Sequence, residues 1–259
     1  MKTAIYCYSG SGNCLDMAKN IAKELGNTDI IMMRRRPEIT DASGYDRVGF
    51  IFPCHGGGLP GDVEKYVRNI RIAPDAYRFG VVQYAGYMGC GLHKLDEIVG
   101  LHYWSGISNH CSCIWLMPHM LTLPPTTLKG AQKRTEKAAK EIAADIKAGV
   151  RSEKKPPKKI VNAIESRGFG KINELINGKM HVSESCVACG QCVKLCPREN
   201  ISIVGGRASI GTDCSGCMSC VEYCPANAIN VGKITKKRKR FHNANVKAAD
   251  LMKSVIHVD

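Results

Sequence analysis

The chain has little that would hold it in a membrane or thread it along a nucleic acid. No apolar run approaches the ~20 residues of a membrane span. Aromatic residues make up 6% of the chain, with 2 tryptophans, and none is interleaved with the basic clusters in the manner of a nucleic-acid surface. No nicotinamide-dinucleotide fingerprint occurs, so NAD(P) is not expected as a direct partner. The opening residues have too short an apolar core for a secretory signal. A reducing, cytoplasmic setting is therefore expected for 14 cysteines, because thiols stay free there.

The 259 residues leave room for one large domain and one small one. The net charge of +14 is unevenly spread. Residues 183–232 carry 3 basic and 4 acidic side chains, whereas residues 233–259 carry 8 and 2. The basic run 236–240 is expected to be a solvated tail that turns away from the preceding segment. Nucleic acid is not an expected partner.

Cysteine is what the chain has in excess. Cys186, Cys189, Cys192 and Cys196 precede Pro197, and Cys214, Cys217, Cys220 and Cys224 precede Pro225. Each set reads C-x2-C-x2-C-x3-C-P, the run that holds a [4Fe-4S] cluster in bacterial ferredoxins. Three thiolates of one loop wrap a corner of the cube, and the fourth cysteine of each run serves the other cluster. Cys186, Cys189, Cys192 and Cys224 are thus expected around one cluster. Cys214, Cys217, Cys220 and Cys196 are expected around the second. Paired zinc sites would use two ligands per run, and four are present. Each bound cluster adds a charge of about −2 to the module, which the flanking lysines would offset. Such clusters suit an anaerobe.

Six cysteines lie outside the runs. Cys7 is expected in a strand core. His110, Cys111 and Cys113 invite a metal reading, but two thiols one residue apart do not comfortably share a tetrahedral site. Buried free cysteines on a strand at 112–117 are expected instead. His119 is expected at the surface.

The first 150 residues alternate strand and helix, the pattern of a parallel doubly wound α/β sheet. Residues 3–8 read as a strand and 15–25 as an amphipathic helix stopped by Gly26. Between them lie Ser9, Gly10, Ser11, Gly12, Asn13 and Cys14. Glycines and hydroxyls at a helix N-terminus make an anion site, and this one lacks the Gly-Lys-Ser/Thr ending of a Walker loop. A strand at 46–52 runs into Pro53, Cys54, His55, Gly56 and Gly57, followed by a helix at 61–70. A strand at 78–84 ends at Tyr84, Ala85, Gly86, Tyr87, Gly89 and Cys90, with a helix to 98. A further helix over 129–147 closes the unit. In such sheets ligands bind beyond the carboxyl ends of the strands, where all three loops fall.

The loop at 9–13 resembles the phosphate loop of flavodoxins, with Cys14 in place of the final hydroxyl. A thiol is the poorer donor, so one phosphate contact is weakened. By that resemblance the loops at 53–60 and 84–91 hold an isoalloxazine ring. The second loop offers His55 rather than a stacking aromatic residue. Tyr84 or Tyr87 is then the candidate to stack, and one face of the ring is left open.

The whole order resembles a fusion family of anaerobes: a flavodoxin-like domain (1–150), a basic linker with a possible helix (151–180), a small α+β two-[4Fe-4S] ferredoxin domain (181–232) and a basic C-terminal tail (233–259). The resemblance implies FMN and two clusters, with single electrons moving between them. Redox partners such as a ferredoxin or a flavoenzyme follow from it. An alternative is an oxidoreductase that reduces a quinone, a nitro compound or a flavin at the open face. His55 or Tyr87 would be its proton donor. A nucleic-acid-linked redox sensor would rest on the basic tail alone.

Overall fold

The computed structural model describes residues 1–34, 40–114, 127–158, 168 and 171–259. The amino-terminal part runs β1 (Thr3–Cys7), α1 (Asn13–Leu25), β2 (Thr28–Met32), β3 (Asp41–Ala42), β4 (Arg47–Pro53), α2 (Gly61–Val67), β5 (Arg71–Ile72), β6 (Tyr77–Tyr84), α3 (Gly91–Val99), β7 (Tyr103–Ser108) and α4 (Leu128–Lys147). The carboxyl-terminal part adds β8 (Met180–Val182), α5 (Gln191–Leu195), β9 (Ile201–Val204), β10 (Arg207–Ile210), α6 (Ser219–Glu222), β11 (Ile229–Val231), α7 (Ala248–Met252) and β12 (Val255–Val258). Helical backbone also covers residues 171–177.

The main sheet has the order β12-β2-β1-β4-β6-β7. Its five amino-terminal strands are parallel. Without β12 this is the flavodoxin-like order, whose switch point lies between β1 and β4. All five residues of β1 are buried, as expected when helices cover both faces of a parallel sheet. Alternate residues feed two cores. Ile5 and Cys7 join Leu15, Ile21, Ile142 and Ile146 on the α1 and α4 side. Ala4 and Tyr6 join Phe50, Val63, Leu92 and Leu95 on the α2 and α3 side.

Three expectations need correction. The last parallel strand among the described residues is β7, at Tyr103–Ser108, ahead of the expected 112–117. Two serines and Gly106 break the apolar run, and the glycine is needed because a side chain there would strike Met88 and Tyr84. Residues 112–114 are irregular instead. Residues 115–117 and His119 lie outside the described residues, as do residues 159–167, 169 and 170 of the linker in which a helix was expected.

The second correction concerns β2. The apolar pattern does not mark it, because Thr28 and Asp29 open a run of only five residues. It is nonetheless buried along its whole length.

The third concerns the tail. Residues 233–259 do not trail into solvent. β12 pairs antiparallel with β2, from Val255↔Ile31 to Val258↔Thr28. Val246 and Leu251 are buried in the α1 core. The backbone N–H of Asn243 donates to the Ser11 carbonyl (2.8 Å). Arg240 does not turn away from the cysteine module: it donates to the Ile229 carbonyl (3.0 Å) and to Asn230 Oδ1 (2.8 Å). Apolar residues further along the tail, Val246 and Leu251, outweigh the solvation of its charges.

In the carboxyl-terminal part β8 pairs with β11, and β9 with β10, both antiparallel. Their small core includes Ile176, Ile201, Val221, Ile229 and Val231. Among the described residues no helix is long and apolar enough to cross a membrane.

Candidate functional site

The two cysteine runs fold as a structural repeat. Left-handed backbone occurs at matching positions in each: Ala188 and Gly216 (φ 53° and 70°), Gly190 and Met218 (72° and 62°), Glu199 and Asn227 (53° and 48°). These angles disfavour most side chains, so surrounding contacts must enforce them. The backbone donors to sulfur repeat as well. Asn200 N–H points at Cys196 Sγ (3.3 Å), and Ala228 N–H at Cys224 Sγ (3.2 Å). Gly216 N–H and Ala208 N–H reach Cys214 Sγ (3.4 Å) and Cys186 Sγ (3.5 Å).

The cysteines come together across the runs. Cys186, Cys189, Cys192, Cys220 and Cys224 line one small cavity. Cys214, Cys217 and Cys220 all lie within electrostatic reach of Cys196. Burial, with its neighbours Cys217 and Cys196 acting the same way, pushes the Cys214 thiol up to about 11. Burial also raises Cys217 and Cys220. Buried thiols crowded this way remain protonated by themselves, whereas a coordinated metal deprotonates them outright. The donor set of eight thiols with backbone N–H groups aimed at sulfur fits iron-sulfur ligation. Among the described residues no three His, Cys, Asp or Glu side chains converge on a point suited to one metal ion.

A second cavity, of about 280 Å³, opens beyond the carboxyl ends of β1, β4, β6 and β7. It is lined by Ser9, Gly10, Ser11, Asn13 and Cys14, by Pro53, Cys54, His55, Gly56 and Gly57, and by Tyr84, Ala85, Gly86 and Tyr87. All three loops read from sequence therefore meet at one place. Gly12, Gly89 and Cys90 do not line it. Gly12 caps α1 with φ 96°. Cys90 N–H donates to the Gly57 carbonyl (2.7 Å), joining the second and third loops. A side chain at Gly89 would overlap the backbone of Gly57.

Local hydrogen bonds shape the loops. Ser9 Oγ accepts from Leu15 N–H (3.3 Å) in the first turn of α1. Cys54 N–H donates to the Gln83 carbonyl (2.7 Å). Burial lowers the His55 pKa to about 4, with Asp62 opposing weakly. Burial thus favours the neutral imidazole at ordinary pH. Tyr87 stands half exposed at the cavity.

Sequence reasoning missed two further walls. One is the segment after β7, where Asn109, His110, Cys111, Ser112 and Cys113 join Gln83. Cys111 and Cys113 are half-buried loop residues rather than strand-core thiols, and burial raises the Cys111 pKa. Among the described residues Gln83 Nε2 and both ring nitrogens of His110 are buried without a hydrogen-bond partner. Polar atoms in that state are uncommon in proteins. The signal in sequence was a polar residue closing each strand, Gln83 in β6 and Asn109 after β7.

The other wall is Gly216, Cys217 and Met218, from the second cysteine run. Ser219 Oγ donates to the Gly10 carbonyl (2.9 Å), and Tyr223 Oη to the Ser11 carbonyl (3.2 Å). Tyr8 Oη donates to Ser215 Oγ (3.0 Å). Arg198 forms ion pairs with both Asp62 and Asp213, clamping the same junction.

Known proteins resemble parts of this chain. The family model of the 4Fe-4S binding domain matches residues 181–202 and 211–230. No curated protein matches the chain. Among solved structures, a rubredoxin:oxygen oxidoreductase from the anaerobe Desulfovibrio gigas is similar, at 17% identity and a TM-score of 0.37. The likeness covers 57% of this chain and 36% of that one, so this chain spans only about a third of that relative. An FMN-dependent NADH-azoreductase from Bacillus anthracis, solved with FMN, is similar at 8% identity and a TM-score of 0.36, over 56% of this chain and 99% of that one. The chain thus joins a flavodoxin-like, mostly parallel sheet to a small ferredoxin-type module with 4Fe-4S repeats.

Proposed function

We propose that this chain is an electron-transfer flavoprotein in which two [4Fe-4S] clusters and one FMN share a single path. The flavin-binding part spans residues 1–150, the basic linker 151–180, and the cluster module 181–232. Cys186, Cys189, Cys192 and Cys224 would hold one cluster; Cys214, Cys217, Cys220 and Cys196 the other. One observation carries the reading: Cys217, a ligand of the second cluster, also lines the cavity of the three glycine-rich loops. A flavin there accepts or releases one or two electrons while each cluster handles one.

The chain's own residues do the positioning. The α1 N-terminus and Ser9 to Asn13 offer donors to an anion. The loops at 53–57 and 84–87 bound the space for a ring. The hydrogen bonds from Ser219 and Tyr223 hold the cluster loop against the first loop, which keeps the path short and excludes water.

The test is composition followed by electron transfer. Protein purified without oxygen should carry ~8 iron and as many sulfides, because each cluster holds four irons, and should retain one FMN. A flavin-free protein that never rebinds FMN would sink the flavin assignment. Reduced ferredoxin should then reduce the flavin through the clusters.

A second reading is an oxidoreductase for a small acceptor such as a quinone. The exposure of Tyr87 at the cavity favours it. Steady turnover of such an acceptor, with electrons from ferredoxin, would separate it from a pure carrier.

A further inference from the structure

Among the described residues that line the second cavity there is no lysine or arginine. An anion there must be held by hydrogen-bond donors, and carbonyl oxygens, which only accept, would oppose it. The donors are on hand. Gly12 caps α1 and offers no side-chain acceptor to the first N–H groups of the helix, which have no carbonyl of the same helix to meet.

The acceptors of residues 10–12 and of the Asn13 side chain are engaged elsewhere. The Gly10 carbonyl accepts from Ser219 Oγ (2.9 Å). The Ser11 carbonyl accepts from Tyr223 Oη (3.2 Å) and from the backbone N–H of Asn243 (2.8 Å). The Gly12 carbonyl accepts from Asp16 N–H (2.9 Å). Asn13 Oδ1 accepts from Asn243 Nδ2 (3.1 Å). None of the donor residues, Ser219, Tyr223, Asp16 and Asn243, is among the described residues that line the cavity, so the loop is gripped from behind.

Asn243 makes two of these bonds, although it lies in the basic tail, 230 residues beyond Asn13. Its Nδ2 also reaches Asp16 Oδ2 (3.3 Å), while Asn245 Nδ2 donates to Asp16 Oδ1 (3.1 Å). The carboxylate of the first turn of α1 is thus bonded to the tail as well. The fit is close: a Cβ at Gly12 would lie 3.1 Å from that of Asn243 and 3.0 Å from that of Val246.

We infer that Asn243 is a positioning residue of the anion loop: by drawing the Ser11 carbonyl and the Asn13 amide oxygen onto the tail, it leaves the loop's donors to face a phosphate. The inference rests on the flavin reading above and makes the carboxyl-terminal tail part of the flavin site. Asn243 acts through Asn13, which lines the cavity. With Oδ1 held by the tail, the amide N–H2 is the free corner of that side chain. Without Asn243 Nδ2 the Asn13 amide can turn and offer its oxygen to the ligand. That costs affinity for a phosphorylated flavin and spares an unphosphorylated one.

The experiment compares FMN with riboflavin by calorimetric titration of the full chain, clusters in place and flavin removed. Wild-type protein should bind FMN more tightly than riboflavin. Asn243→Ala keeps the backbone bond to Ser11 and loses the amide. It should weaken FMN about fivefold and leave riboflavin within about twofold, the scale of one neutral hydrogen bond. Equal losses for both flavins would reduce Asn243 to a structural role and overturn the inference, as would no loss for FMN. If wild-type protein binds both equally, the positioning role falls and the flavin reading stands. If it binds neither, the flavin reading itself fails and the inference falls with it. Cluster absorbance and far-UV melting report folding of each variant. Should the alanine variant lose its clusters, Asn243→Ser, which keeps a short donor, decides instead: a lowered FMN-to-riboflavin ratio supports the inference, and an unchanged ratio overturns it.

Discussion

The backbone of Gly10 lies against the carbonyl of Cys217 so closely that a Cβ at position 10 would overlap it. Gly10 belongs to the loop that opens α1, and Cys217 to the second cysteine run, more than two hundred residues further on. This contact joins the flavin-type loop to the cluster-type loop without an intervening layer. It makes a glycine of an ordinary anion loop into part of an interdomain joint.

Gly10→Ala is therefore expected to push the two loops apart. The obstacle is backbone and cannot swing aside, so the loss should resemble overpacking, about 1–3 kcal/mol. Thermal melting should fall, and bound flavin and its reduction rate should fall with it. Unchanged melting together with unchanged reduction would show that the joint does not need this approach.

The crossed grouping of thiols predicts paired phenotypes. Cys196→Ser should lose the same electron-spin signal as Cys214→Ser, although Cys196 belongs to the other run. Cys224→Ser should match Cys186→Ser. Each pair should lose ~4 iron, one cubane. Loss following the run rather than the crossing would refute the grouping.

His55 sets a pH dependence. Its folded pKa is depressed to about 4 from an ordinary 6.5 because burial disfavours the charged ring. Below 6.5 the unfolded chain takes up a proton that the folded chain refuses. The stability present above 6.5 should decline as pH falls from 6.5 to 4 and level off below. For a partly buried ring, on the order of 1–2 kcal/mol is expected. His55→Gln should flatten that part of the urea-midpoint profile. A parallel wild-type and variant profile would be the contrary result.

Gln83 should show a trade between stability and binding. Asn109 Nδ2 faces Gln83 Oε1 (3.4 Å) and Thr135 Oγ1 (3.3 Å), which turns the Gln83 amide N–H2 away from that pair. Among the described residues that donor is buried and has no partner. Replacing Gln83 by an apolar residue removes it but also takes away the Oε1 that accepts from Asn109, so the two effects oppose and the net change should lie within about 1 kcal/mol. Gln83→Met should thus melt close to wild type when flavin-free, yet bind flavin more weakly. A variant that binds flavin as tightly as wild type would remove Gln83 from the ligand's contacts.

Much of this molecule is readable from residue order because its signals are local. A thiol spacing of two or three residues encodes a loop curvature, and cysteines of both runs meet around one small cavity. Helices α1, α3 and α4 follow from apolar residues at helical spacing. The loops at 9–14, 53–57 and 84–87 follow from glycines at the ends of buried strands. β2 and β7 escaped because each is short and interrupted by polar residues, and burial rather than pattern makes them strands.

What the order of residues determined, then, is composition of parts: a parallel sheet, an anion loop and two thiol loops. Tertiary packing decided how they meet. It brought Gly216, Cys217 and Met218 into the wall of the sheet's cavity, joined His110 and Gln83 to the same lining, and drew the basic tail back as β12 beside β2. Periodicity and spacing report which face of an element is apolar. They carry no record of which distant face will cover it, since hydrophobic burial has no direction of its own and only shape and paired hydrogen bonds choose the partner.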